Sequence, residues 1–156
     1  PDSAALAAES GGRAGTVAEA AACDIVCTST PSRTPVVERA WVRPGAHINA
    51  MGADAEGKQE LETALVAAAS IFIDEIEQAT HSGEINVPLH QGALDRAAIR
   101  ATLGQVIIGE RAGRSSPEDI TLFDSTGLAI QDVATARVVY EAALARGVGQ
   151  AIAIVA

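Results

Sequence analysis

Short β-branched and apolar runs alternate along this chain with alanine-rich stretches of helical composition, and the punctuation between them is glycine, proline and aspartate. Residues 24–30 (DIVCTST) form a β-branched run that Pro31 ends, which predicts a buried strand. A second strand is predicted over 47–51, after the Pro44-Gly45 pair, and a third over 70–75. Between these two, residues 57–69 read as a helix that begins directly after the Gly-Ala-Asp turn at 52–54. Strand, helix, strand in units this short predicts a parallel sheet with right-handed crossovers.

The flanks are read the same way. Residues 2–9 open with a helix cap at Asp2 and continue as a good helix former until Gly11 and Gly12, and a short piece over 16–22 leads into the first strand. Residues 78–92 hold Gly, Pro and His without periodicity and read as a long loop over the sheet. Helical segments over 94–100 and 102–110, a turn over 113–117 and a strand over 119–123 are expected next. The strand ends at the Asp-Ser-Thr-Gly stretch 124–127, and 128–146 reads as an amphipathic helix closed by Gly147 and Gly149. The tail 151–156 reads as one more strand, and no internal repeat is visible.

Composition narrows the picture. A chain of 156 residues with 48% apolar content suits one domain, and with only 3% aromatics its core must be Ala, Val, Ile and Leu. A formal charge of −9 without a basic stripe argues against a nucleic-acid binder. The acids Glu56, Glu60, Glu62, Glu75, Glu77, Glu118 and Asp119 are spread as on a solvated anionic surface. Cys23 and Cys27 read as two small core residues, and His47, His81 and His90 are too scattered for a zinc site, so no metal is expected. With no disulfide framework, signal peptide or bilayer-length apolar run, a soluble protein of a reducing compartment, the cytoplasm, is expected, with no membrane partner.

The candidate chemistry sits at residues 49–61 (NAMGADAEGKQEL), where an apolar run stops at Gly52 and an acid, Asp54, follows. In open α/β sheets ligands lie outside the carboxyl ends of the strands, where a glycine lets the backbone approach and an acid can face the substrate. From local sequence alone Asp54 equally suits a helix N-cap, Thr30 the cap of a strand end, Lys58 a solvated charge four residues from Asp54, and Ser125 a turn residue. A dinucleotide fold opens with a strand, a Gly-x-Gly-x-x-Gly turn and a helix. No such turn occurs here: the sole Gly-x-Gly, at 147–149, ends a helix, and the chain begins in a helix as though an opening βαβ unit preceded it.

Four ordered segments carry a resemblance: 27–35 (CTSTPSRTP), 49–61, 78–88 (QATHSGEINVP) and 120–132 (ITLFDSTGLAIQD). Together they resemble the ornithine cyclodeaminase/mu-crystallin family, nearest its archaeal-type alanine dehydrogenases, over the carboxyl-terminal half of the family's usual length. The resemblance implies an α/β fold, a partial Rossmann-like doubly wound parallel sheet. Residues 1–127 would be the later part of the NAD(P)-binding domain, and 128–156 a helix and strand shared with the substrate and dimerisation domain. It implies NAD or NADP as cofactor, bound weakly without the glycine-rich turn, a small amino-acid or imine substrate, and a homo-oligomer, a dimer in the full-length family. Residue by residue, Asp54 matches the catalytic acid. Thr30, Met51, Gly52, Ala53, Lys58 and Ser125 match cofactor contacts, and Thr126 falls where the family touches substrate. The activity implied is oxidation of alanine to pyruvate and ammonia, for which burial is expected to raise the pKa of Asp54. Ornithine cyclodeamination and ketimine reduction are open within the family, as are a mu-crystallin-like ligand-binding role and an inactive structural fragment.

Overall fold

The computed structural model of the chain describes residues 2–152. Five strands, β1 (Ile25–Thr28), β2 (His47–Ala50), β3 (Ser70–Ile73), β4 (Ile99–Thr102) and β5 (Thr121–Asp124), form one sheet in the order β1-β2-β5-β3-β4, and every pairing is parallel. The chain thus steps outward through four strands and returns to place the fifth in the gap between β2 and β3. Four of the five expected strands lie in this one parallel sheet, as the alternation predicts. The last of them runs over 121–124 rather than 119–123.

Side chains alternate across the sheet as the pleat requires. Val26, Ile48, Leu122, Ile71 and Ile73 face a core completed by Leu65 and Val66 of helix α3 (Thr63–Ala68) and by Ala79 and Ile85 further on. The core is aliphatic, as the low aromatic content predicts. On the opposite face His47, Asn49, Phe72, Thr121 and Phe123 border a pocket of about 510 Å³ whose far wall includes Leu103 and Val106. At the amino end, α1 (Ser3–Ser10) is capped by Asp2 and stopped by Gly11 at φ 70°, and α2 (Val17–Ala21) starts with a Thr16–Glu19 capping box.

Several expectations are corrected. Residues 57–61 are not helical; only α3 is. Gly57 sits at φ 75°, and the Glu60 carbonyl accepts from Val36 N at 2.7 Å and Val37 N at 3.0 Å, so this backbone pairs with 36–37 instead of with itself. Residues 78–92 are not a loop: they form most of α4 (Ile76–Ser82) and α5 (Asn86–His90), α4 being capped by the Glu75 side chain on Gln78 N at 2.8 Å. Their helical period is masked because polar residues share the buried side with Ala79, Ile85 and Pro88: Thr80 and Asn86 on the helices and Glu84 in the turn between them are all buried. The expected helix over 94–100 is a 3-10 turn (Arg96–Ala98) followed by β4, an edge strand in which Ala101 alone is buried. Thr102 then caps α6 (Leu103–Ile107) through a capping box with Gln105. Cys23 and Cys27 are exposed rather than core, Cys27 because the inward positions of β1 are Val26 and Thr28.

The chain divides into two compact units, Pro1–Thr126 and Gly127–Ala156. The second holds α7 (Ala129–Arg146), ended by Gly147 in the left-handed region at φ 63°. An Arg137–Glu141 pair at 2.8 Å lies on α7, whose apolar side chains Ile130, Val133, Tyr140 and Leu144 are exposed. Most of the strand expected over 151–156 lies outside the described residues, and Ala151 and Ile152 are not in a strand. No helix among the described residues is long and apolar enough to cross a membrane.

Candidate active site at the carboxyl edge of the sheet

Parallel pairing in register brings the strand ends into one row: Thr28 pairs with Ala50, Ala50 with Asp124, and Asp124 with Ile73. Every candidate site residue follows one of these ends. Thr30 leaves β1, Met51 to Lys58 leave β2, and Ser125 and Thr126 leave β5. Ser125 N donates to Ala50 O at 3.0 Å, which ties the turn after β5 to the end of β2.

Gly52 is glycine for lack of room. A Cβ there would lie 2.4 Å from Thr30 O, 2.5 Å from Thr30 N and 2.6 Å from Glu60 Cδ. Two of those neighbours are backbone, so Gly52→Ala should cost about 1–3 kcal/mol of stability through forced displacement. Urea unfolding of the chain measures this; a midpoint equal to wild type would show that the edge is looser than its geometry.

Beyond Gly52, Ala53 is buried and Asp54 is exposed. Asp54 does not cap a helix: residues 55–57 form a turn, and its carboxylate pairs with the Lys58 ammonium. That hydrogen bond and its charge hold the Asp54 carboxyl below the usual carboxylate range, against the expectation that burial raises it. Lys58 is held in turn by Asn86, whose Nδ2 donates to Lys58 O at 3.1 Å while its Oδ1 accepts from Gly57 N at 3.0 Å. Met51 is 48% exposed, leaving an apolar surface next to these polar groups. Ser125 is buried, and Thr126 is fixed by Asp74, whose carboxylate accepts from Thr126 N at 2.7 Å and from Oγ1 at 2.9 Å.

Sequence reading missed the acids beneath this edge. Glu60, Glu84 and Asp124 have no exposed surface. Burial pushes the Glu84 carboxyl up to about 8, although the N–H groups of Leu61 and Glu60 that donate to it oppose the rise. Burial likewise pushes Asp124 up to about 7; Ile85 N donates to its Oδ2 at 3.1 Å, and its Oδ1 has no hydrogen-bond partner among the described residues. The one signal available in sequence was an acid beside Gly83, whose missing Cβ would stand 2.5 Å from Asp124 Oδ2. That signal becomes readable only once the fold is known.

The nicotinamide end of a dinucleotide would find here an apolar flank at Met51, hydroxyls at Thr30 and Ser125, a cation at Lys58 and a carboxylate at Asp54, all at one sheet edge. The donor set fits the group. No cluster of three or more His, Cys, Asp or Glu able to hold a metal ion occurs among the described residues.

The chain is similar to several known proteins. Over 134 residues the chain is 55% identical to an alanine dehydrogenase of Archaeoglobus fulgidus, covering 86% of this chain and 42% of that protein. It superposes on an archaeal alanine dehydrogenase dimer with bound NAD at a TM-score of 0.87 and 49% identity, over 97% of this chain and 48% of that one. It also superposes on a Thermococcus litoralis Delta(1)-pyrroline-2-carboxylate reductase in complex with NADH and L-proline, at a TM-score of 0.85 and 32% identity, over 96% and 48% of the two chains. The chain therefore spans less than half the length of these relatives. The sequence profile of the ornithine cyclodeaminase/mu-crystallin family matches residues 12–147, and with that span and the shared parallel sheet, the chain belongs to that family.

Proposed function

We propose that this chain is the later part of an NAD(P)-dependent amino-acid oxidoreductase, with residues 1–127 belonging to the dinucleotide-binding domain and 128–156 to the substrate and dimerisation domain. The observation that carries the reading is the gathering of Thr30, Met51–Asp54, Lys58 and Ser125 at one carboxyl edge. Likeness to alanine dehydrogenase at 55% identity favours L-alanine, oxidised to pyruvate and ammonia, as the substrate. Reduction of a cyclic imine is the second reading, favoured by the likeness to a pyrroline-carboxylate reductase.

A bound nicotinamide would supply the hydride acceptor or donor. The chain's own residues supply position and a proton. Thr30, Lys58 and Ser125 hold the cofactor, Met51 flanks its ring, and Thr126 meets the substrate. Asp54, a carboxylate whose pKa Lys58 holds below its ordinary value, takes the proton of the water that adds to the imine carbon. It returns that proton to the nitrogen, and as the C–N bond breaks it takes the remaining hydroxyl proton, so that the carbonyl forms and ammonia leaves. The apolar face of α7 suits burial between copies in a homo-oligomer.

The test uses a protein of the relatives' length that carries this segment, assayed with NAD and NADP against L-alanine, L-ornithine and L-proline. Turnover of alanine with a nicotinamide cofactor is expected; binding of the cofactor without turnover of any of the three would favour a ligand-binding member instead. In the same protein, Lys58→Ala should weaken NAD(H) binding about tenfold, the scale of one charge-assisted hydrogen bond, with a smaller loss of saturated turnover. Because Lys58 holds the Asp54 pKa down, that variant should also move the acid limb of the pH–rate profile upward. An unmoved limb would show that Asp54 does not set it.

A further inference from the structure

Glu60 is an acid with no exposed surface and no ion pair among the described residues. Its partners are donors from two different strand ends. From β1, Thr28 Oγ1 donates to Oε2 at 2.6 Å and Thr30 N to Oε1 at 2.5 Å; from the segment after β2, Gly52 N donates to Oε2 at 3.0 Å. The residue is also fixed from behind. Its own N–H donates to the Glu84 carboxylate at 3.0 and 3.1 Å, and Leu61 N donates to the same group at 2.6 Å.

Burying a carboxylate costs several kcal/mol unless donors replace its water, and an apolar residue of similar size would avoid the cost. A side chain that satisfies three donors at once, from β1 and from the Gly52 turn, does something an apolar side chain cannot: it fixes the separation of the two backbones. That separation is already at its minimum, since a Cβ on Gly52 would touch Thr30 and Glu60 together. The two segments it joins are the ones that carry Thr30 and Met51–Asp54.

We infer that Glu60 is the positioning residue of the cofactor edge, bracing Thr30 against Gly52 so that the cofactor contact on β1 and the acid Asp54 beyond β2 keep one relative placement. Glu60 does not meet cofactor or substrate; it acts through the two segments it joins. The inference rests on the proposed dinucleotide site, and it extends that site to a residue two positions beyond Lys58.

Glu60→Gln keeps the size and replaces one acceptor oxygen with an NH2 group that faces a donor. In the 156-residue chain, amide hydrogen exchange should speed up at Thr30 and Gly52 by tenfold or more, with the α3 amides unchanged. In the relatives'-length protein, at a temperature where both forms are fully folded, NAD(H) Kd should rise about tenfold and kcat should fall as well. A role confined to stability would lower the unfolding temperature and leave Kd and kcat alone. Thr28→Val, which removes a single donor, should give the same pattern at smaller amplitude, and decides the matter if Glu60→Gln does not fold. Wild-type NAD(H) binding that either folded variant retains unchanged overturns the positioning role alone. A wild type that binds no nicotinamide dinucleotide overturns the functional reading and this inference with it.

Discussion

Asp54→Asn, placed in a protein of the relatives' length that carries this segment, should lower saturated amino-acid turnover by about 10²–10⁴-fold, the usual contribution of a positioned general acid or base. Asparagine preserves the size and the hydrogen bond to Lys58 but cannot take or return a proton. Because Asp54 is exposed and caps no helix, the substitution should leave the unfolding midpoint within about 0.5 kcal/mol of wild type. NAD(H) affinity should change only a few fold, since Lys58 stays in place. Stopped-flow and steady-state oxidation at saturating cofactor measure the loss. Near-normal turnover would reduce Asp54 to an anchor for Lys58 and move the proton-transfer acid elsewhere in the protein.

Stability of the chain should fall as pH rises from about 4 to about 8, and Glu84→Gln should remove much of that fall. Folding raises the Glu84 carboxyl from 4.5 to about 8 and Asp124 from 3.8 to about 7, chiefly by desolvation. Between the unfolded and folded values the native state therefore binds more protons than the unfolded state, and stability declines with pH. At about 1.4 kcal/mol per pH unit, Glu84 alone accounts for on the order of 5 kcal/mol across its window. The side chains of Glu60 and Asp124 oppose its ionisation. Glutamine resembles the protonated acid, so variant and wild type should unfold together near pH 4, diverge progressively as pH rises through 5 to 8, and keep their full difference above about pH 8, with the variant more stable. Urea titrations at pH 5, 7 and 9 test this; parallel decline of both proteins would assign the slope to other groups.

How far the sequence could be read depended on where each segment finds its hydrogen-bond partners. The strands over 25–28, 47–50 and 70–73 and the helix after Leu128 carry their own signals, β-branched runs and capped apolar periodicity, and they were legible. Residues 57–61 look helical by composition, but their partners are Val36, Val37 and the Glu84 carboxylate, none of them local. The same holds for 78–90, where Glu84 and Asn86 point inward to hold the turns after β2, so the pattern of a buried helix face is written partly in polar letters. At the edge, Gly52 and Asp54 stood out as a glycine and an acid at a strand end. Glu60, seen only as one of many acids in an acidic chain, did not, because a buried carboxylate and a solvated one are spelled alike.

Among the described residues, the strand at the centre of the five-stranded sheet is the last in chain order. β5 pairs with β2 on one side and β3 on the other, and its His47–Thr121 contact closes a sequence separation of 74 residues. Without β5, the native pairings leave β1-β2 and β3-β4 as two ribbons unjoined to each other, each with an unpaired inner edge. Contacts that distant slow folding and leave strand edges exposed meanwhile. The nascent chain is thus most exposed to mispairing and to chaperones just before β5 emerges. A stop codon between β4 and β5 would release two unjoined ribbons rather than a shortened sheet.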